Sequence, residues 1–361
     1  MKIGIVGLPN VGKSTLFNAL TNNYGADAQN FPFCTIEPNV GLVNVNDSRL
    51  EKIRVAVNGA KIIPANCEFT DIAGIVKGAS EWEWMGNKFL ANIREADAIL
   101  QVVRIFESSD ITHVHGVVNP KNDIEVINME LIIADIESLT KKIAWDTKKA
   151  RSDKDIAAKL VTLEKALEML EAWDLVSSWD WKEDEVSHLH DSHLLTNKKF
   201  VYACNVSEEM MDASQDELKA IIGVSNCNTQ VVPVCAKLEE DMIEMSPEEK
   251  KEFLDDMGLI STGLDNVIKA SYDALGLQYY FTAGEQEVRA WTVLKWASAP
   301  QAAWVIHTDF EKGFIKADVV TATDIIENSG WSWAKEAGKV RLEWKQYIVQ
   351  DGDVMLFKFN N

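Results

Sequence analysis

No run of about 18 apolar residues occurs anywhere in the 361-residue sequence, so the pattern offers no membrane-spanning helix. No basic-then-apolar leader opens it either, because Met1-Lys2-Ile3-Gly4-Ile5-Val6 reads as a strand from the start. Cysteine is sparse: Cys34, Cys67, Cys204, Cys227 and Cys235 are scattered, with no C-x-x-C pair. That argues against a disulfide framework and for reduced thiols, hence a cytoplasmic location; whether any of them is redox-active stays open. Positive charge is also short, with 36 basic against 56 acidic residues and a net charge of −20. A uniformly acidic surface repels nucleic acid, so an RNA-containing partner would have to be met through local basic patches. Hydrophobic content of 47% and charged content of 25% are ordinary for a globular chain, and the length calls for two or three domains.

What is present begins with Gly7-Leu8-Pro9-Asn10-Val11-Gly12-Lys13-Ser14, set between the first strand and Thr15-Leu16-Phe17-Asn18-Ala19-Leu20, which reads as a helix start. Strand, glycine-rich turn, Lys-Ser and helix make a phosphate-binding loop. The N–H groups from Asn10 to Thr15 and the helix N-terminus would face an anion. Lys13 would reach the outer phosphates and act in catalysis, and the Ser14 hydroxyl would ligate magnesium.

The loop after the first helix, Asn30 to Pro38, holds Thr35, a candidate for magnesium and the γ-phosphate and equally readable as a plain solvent-facing threonine. The strand Asn66–Asp71 runs into Asp71-Ile72-Ala73-Gly74, a D-x-x-G switch. Asp71 would hold the metal through water, and the Gly74 N–H would sense the γ-phosphate. Ile75 stands where Ras-like proteins carry the water-orienting Gln, so hydrolysis is either slow or served by another group. His113, on a loop, is one candidate and is also readable as merely exposed.

From Asp123 apolar residues recur at three- and four-residue steps, and Ile156, Leu160, Leu163, Leu167 and Leu170 repeat the spacing. This predicts an antiparallel pair of long helices joined near Arg151-Ser152-Asp153. Its tip is basic (Lys141, Lys142, Lys148, Lys149, Arg151, Lys154), either a solvated helix end or an arm for phosphate backbone. His188, His190 and His193 read as an ordinary loop, since no ligand pattern completes a metal set.

Lys199–Cys204 returns to the sheet and ends in Asn205-Val206-Ser207-Glu208, where GTPases have N-K-x-D. The longer Glu208 should not fit the guanine clamp, whereas Asn205 suits adenine N6 and N7, so ATP is expected over GTP. Cys235-Ala236-Lys237 follows the last strand as a base-stacking loop. The acidic stretch from Glu239 to Asp256 reads as a solvated helical surface, and from about Tyr279 short β segments predict a β-grasp-like appendage.

Together these motifs resemble the Obg-like ATPase family of ribosome-binding ATPases, along essentially the whole chain. The resemblance implies an α/β P-loop G domain with a parallel-rich sheet (residues 1–122 and 199–277), an inserted helical coiled-coil hairpin (123–198) and a C-terminal TGS domain (278–361). It also implies ATP as ligand, Mg2+ as cofactor, hydrolysis assisted by His113, ribosome binding, and a monomer. Contact with rRNA through Lys148, Lys149, Arg151 and the TGS domain would fit. Whether Asn10 helps to bind potassium stays open. An Obg-type GTPase and a slow nucleotide-gated binding module are the alternatives.

One departure concerns tryptophan, which at 12 residues exceeds tyrosine at 6. Trp82, Trp84, Trp296, Trp304, Trp333 and Trp344 fall where the family tends to have glycine. A bulky ring at a positive-φ glycine position would be strained, which raises the hypothesis that some are UGA codons read as glycine in the source organism. Peptide mass spectrometry of protein from its source, showing Trp masses there, would overturn it.

Overall fold

The computed structural model describes residues 1–24, 39–72, 82–107, 117–150, 153–226 and 228–360. Thr35, Gly74, Ile75, His113, Arg151, Cys34 and Cys227 lie outside them.

In chain order the elements are β1 (Lys2–Val6), α1 (Lys13–Tyr24), β2 (Val40–Val45), α2 (Ser48–Val57), β3 (Ile62–Ile63), β4 (Ala65–Asp71), α3 (Trp82–Glu95) and β5 (Ala98–Arg104). Next come α4 (Pro120–Ala150), α5 (Lys154–Glu171), α6 (Glu183–His190), β6 (Lys199–Asn205), α7 (Gln215–Ile222), β7 (Gln230–Val234), α8 (Ala236–Asp241), α9 (Pro247–Asp256) and α10 (Gly263–Ala274). The last are β8 (Leu277–Ala283), β9 (Val288–Leu294), α11 (Ala299–Ile306), α12 (Thr308–Lys312), β10 (Phe314–Thr321), α13 (Ala322–Glu327), α14 (Trp331–Glu336), β11 (Arg341–Glu343) and β12 (Asp353–Phe359).

Two compact units divide the described chain. The first holds residues 1–23, 39–41 and 68–274; the second holds residues 24, 42–67 and 275–360. Strands β2 and β4 cross from one to the other, a partition that no composition shift announces.

In the first unit the parallel strands run β4-β1-β5-β6-β7. Every residue of β5 is buried, Gln101 and Arg104 included, which is why it reads as a mostly apolar run rather than an alternation. Parallel pairing aligns the carboxyl ends of the strands: Ile5 sits beside Asp71, and Asn205 beside Val234. The hairpin of α4 and α5 projects from this sheet. Ile132, Leu139, Leu163, Ala166 and Leu170 bury its seam together with Val176, Leu189 and Leu194. Asp153 caps α5, accepting from the N–H groups of Asp155 and Ile156. Asp135 pins the returning chain: its carboxylate accepts from Leu195 N (3.1 Å), Thr196 N (2.8 Å) and Thr196 Oγ1 (2.7 Å).

Three expectations need correction. His188 and His190 lie on α6, not on a loop, and His188 Nδ1 meets Thr162 Oγ1 at 2.9 Å. Glu239 is not solvated but 1% exposed. Trp296, Trp304, Trp333 and Trp344 are all more than half exposed, yet none has left-handed backbone; the strain expected of them is absent. The side chains of Trp82 and Trp84 lie outside the description.

The conflict falls on Trp173 instead, at φ +65°. It follows the Ala172 cap of α5, with Trp173 N–H bonded to Leu170 O and Asp174 N–H to Met169 O. That is the glycine position of a Schellman ending. Its ring is 55% exposed, so little packing offsets the left-handed backbone. Trp173→Gly is expected to raise stability by about 1 kcal/mol, read by denaturant unfolding; a variant less stable than the parent would contradict this reading.

In the second unit a sheet runs β11-β10-β12-β8-β9-β3. β8 and β9 form an antiparallel hairpin, β12 lies parallel to β8, and β10 antiparallel to β12. Small residues of α11 (Ala299, Ala302, Ala303) let it sit close on the sheet against Tyr280, Val293, Ala317 and Met355. The C-terminal segment is thus the β-grasp-like domain expected.

Candidate functional site: a phosphate loop at the carboxyl ends of the sheet

The loop of residues 7–12 leaves β1 and enters α1 at Lys13, so the first helical N–H groups face out at the carboxyl ends of the strands, where open parallel sheets place ligands. Its two glycines are each required by a contact. A Cβ on Gly7 would stand 2.9 Å from the Val102 carbonyl oxygen, and one on Gly12 (φ +95°) would stand 2.3 Å from Asn205 Nδ2. Asn10 also takes left-handed backbone, at φ +63°, which asparagine tolerates better than most residues.

Lys13 and Ser14 both turn toward Asp71 at the end of β4. Lys13 Nζ is ion-paired with Asp71 Oδ1, and Ser14 Oγ lies 3.3 Å from Asp71 Oδ2. Ser14 is exposed and Thr15 half-buried. A hydroxyl and a carboxylate side by side are hard oxygen donors of the kind Mg2+ takes, alongside phosphate oxygens and water. The donor set therefore fits a magnesium ion held by Ser14 and Asp71.

Asn205 at the end of β6 is 5% exposed. Its Nδ2 donates to Val11 O (2.9 Å), and its Oδ1 accepts from Ala236 N (3.1 Å). One side chain thus ties the phosphate loop to the loop after β7. Each amide atom spends one of its two bonds on this tie, leaving one N–H and one lone pair for a base. The tie escaped the sequence reading because it joins residues 194 positions apart. Beside it, Val206 is buried and its N–H donates to Val234 O (2.9 Å), which locks β6 to β7. Glu208 stands 4.0 Å from Lys237 Nζ across the same opening.

Cys235 and Ala236 are buried at the base of this loop. Burial pushes the thiols of Cys67 and Cys204 up to about 12 and raises that of Cys235, so these three are poor thiolates near neutral pH.

One turn beyond the loop, Glu239 Oε1 accepts from Leu264 N (3.2 Å) at the start of α10. Burial pushes its carboxyl from 4.5 up to about 7. The unfolded chain loses this proton at lower pH than the folded one. The group's stabilising share is therefore whole below about pH 4.5 and lost as pH rises through about 7. Glu239→Gln mimics the protonated form. It should leave stability unchanged near pH 4.5 and exceed the parent by about 3 kcal/mol above pH 7, a gap measured by urea unfolding at several pH values.

The chain is 52% identical to "Ribosome-binding ATPase YchF" of Bacillus subtilis over 361 residues, covering 99% of this chain and 98% of the relative. It is 51% identical to the protein of the same name from Escherichia coli O157:H7, covering 99% of each. The chain belongs to the YchF family. A solved structure of the Schizosaccharomyces pombe YchF GTPase superposes with a TM-score of 0.87 at 35% identity, covering 99% of this chain and 97% of that one. Residues 2–134 match a family model described as a 50S ribosome-binding GTPase. Residues 277–360 match the YchF C-terminal family model, described as a protein of unknown function. As a YchF-family member the chain has the P-loop fold, the helical insert and the C-terminal domain expected of it, and among the described residues no helix is long and apolar enough to cross a membrane.

Proposed function

We propose that this chain is an ATP hydrolase whose binding to ribosomal particles is set by the nucleotide it holds. The observation that carries the reading is the meeting of Lys13, Ser14 and Asp71 at the mouth of a phosphate loop that Asn205 braces. Residues Asn10 to Thr15 take the phosphates, and Lys13 neutralises charge that grows on the outer phosphate as its bond breaks. Ser14 and Asp71 would hold Mg2+, with Thr35 assigned to the same ion, which when bound would supply positive charge to the phosphate oxygens. Gly74 reports the γ-phosphate, and His113 is assigned to position the attacking water in place of the glutamine that Ile75 replaces. Asn205, Val206, Glu208, Cys235 and Ala236 frame the base. Glu208, paired with Lys237 and one carbon longer than the aspartate of the guanine clamp, favours adenine. The names of the curated relatives support both ATP hydrolysis and the ribosomal partner. Lys148, Lys149 and Arg151 on the arm, and the C-terminal domain, would reach rRNA, and a monomer in the cytoplasm would suffice for this role.

The test is co-sedimentation with purified ribosomal particles in ATP, in ADP and without nucleotide, followed by turnover with and without particles. Retention that changes with nucleotide is expected. Equal retention in all three states would contradict the switch, and nucleotide-dependent retention without turnover would leave a binding module.

A further inference from the structure

We propose that the tip of the α4–α5 arm binds single-stranded RNA, with Trp145 stacking on an unpaired base and Lys141, Lys148 and Lys149 holding the flanking phosphates. The proposal rests on the ribosomal reading above and sharpens it to one RNA form and one residue.

Positions 141, 145, 148 and 149 are spaced by four, three and one along α4, which sets them on one face of the helix. Trp145 is 65% exposed in the middle of that face, and Lys149 Nζ stands 4.9 Å from its ring centroid. The arm's own apolar seam, on Ile132, Leu139, Leu163, Ala166 and Leu170, does not include it.

Residues 141–154 hold six basic and two acidic side chains in a chain of net charge −20. Lysines in the last turn of a helix complement its dipole, which accounts for Lys148 and Lys149 but not for Lys141, Lys142 or an exposed indole. Lys141 is paired with Glu137 at 2.5 Å, an exposed i,i+4 pair that holds little energy and gives way to a phosphate. An aromatic ring among cations is the surface that single-stranded RNA takes, with ring on base and ammonium on backbone. A-form duplex keeps its bases stacked inside, so it offers the lysines a backbone and the indole nothing.

The experiment is fluorescence anisotropy of labelled single-stranded and duplex RNA with the full chain. Trp145→Ala should weaken single-strand binding about 5- to 100-fold and leave duplex binding unchanged, while Trp145→Phe should retain most of the affinity. Lys148→Glu with Lys149→Glu should weaken both forms and flatten the salt dependence. Thermal melting of each variant checks that the arm is folded. Unchanged single-strand affinity in Trp145→Ala, or parent binding of duplex as tight as of single strand, would overturn the proposal. So would a chain that sediments with ribosomal particles yet binds no RNA, as an acidic ribosomal protein as partner would produce; the ribosomal reading would then stand. Sedimentation absent in every nucleotide state would instead remove the ribosomal reading.

Discussion

Lys13→Ala will lower ATP turnover by at least about 100-fold, the order seen when one preorganised charge-stabilising group is removed. Lys13 is the cation at the mouth of the phosphate loop, and its partner is Asp71. The variant therefore loses the charge that faces the outer phosphates and leaves a carboxylate beside them. Both changes oppose an anionic transition state, so kcat falls along with affinity. Lys13→Arg, which keeps the charge but not the compact ammonium, should recover little. Single-turnover hydrolysis at saturating ATP separates the effect on chemistry from that on binding. Turnover within about threefold of the parent, well short of the loss expected for such a group, would mean that Lys13 is not the phosphate lysine.

Asn205→Ala will have the second large effect, on binding and stability together. Its amide is buried and holds Val11 O on one side and Ala236 N on the other. Removing it leaves two buried backbone groups without partners, at about 1–3 kcal/mol each. It also frees the phosphate loop from the loop after β7. ATP affinity is expected to fall about 100-fold, which is near 3 kcal/mol, with unfolding shifted by a similar amount. Asn205→Asp is the informative second variant. It keeps the acceptor for Ala236 N but cannot donate to Val11 O, so it should retain part of the stability and little of the nucleotide affinity. If Asn205→Ala lost only affinity and no stability, the amide would be a base reader and not a brace.

Much of this was legible from the sequence, for reasons that differ by element. The phosphate loop was readable because its chemistry is local: glycine, lysine and serine act within eight consecutive residues. The arm was readable because α4 and α5 repeat the 3.6-residue period long enough to leave no competing pattern. β5 is readable because burial on both faces favours a mostly apolar run, here Ala98 to Val103 broken by Gln101 alone. What stayed hidden is what depends on distant residues meeting. The bracing role of Asn205 is hidden because nothing in its neighbourhood announces Val11 or Ala236. Glu239 looked solvated because it opens an acidic stretch, although α10 arrives to bury it. The segment Leu42–Cys67 looked like part of the nucleotide domain, since its grouping with the C-terminal residues depends on β3 pairing with β9. His188 and His190 looked like a loop because a helix of eight residues leaves little periodicity to read. The left-handed backbone of Trp173 is hidden because the sequence carries no backbone angle.

Calorimetric titration of nucleotide-free protein with ATP and with GTP in magnesium decides whether this site takes an adenine nucleotide. The arrangement of Asn205, Val206 and Glu208 predicts ATP binding tighter than GTP by about tenfold or more, some 1.4 kcal/mol. GTP binding as tight as ATP, or tighter, would contradict it and make the chain a GTPase of the Obg type.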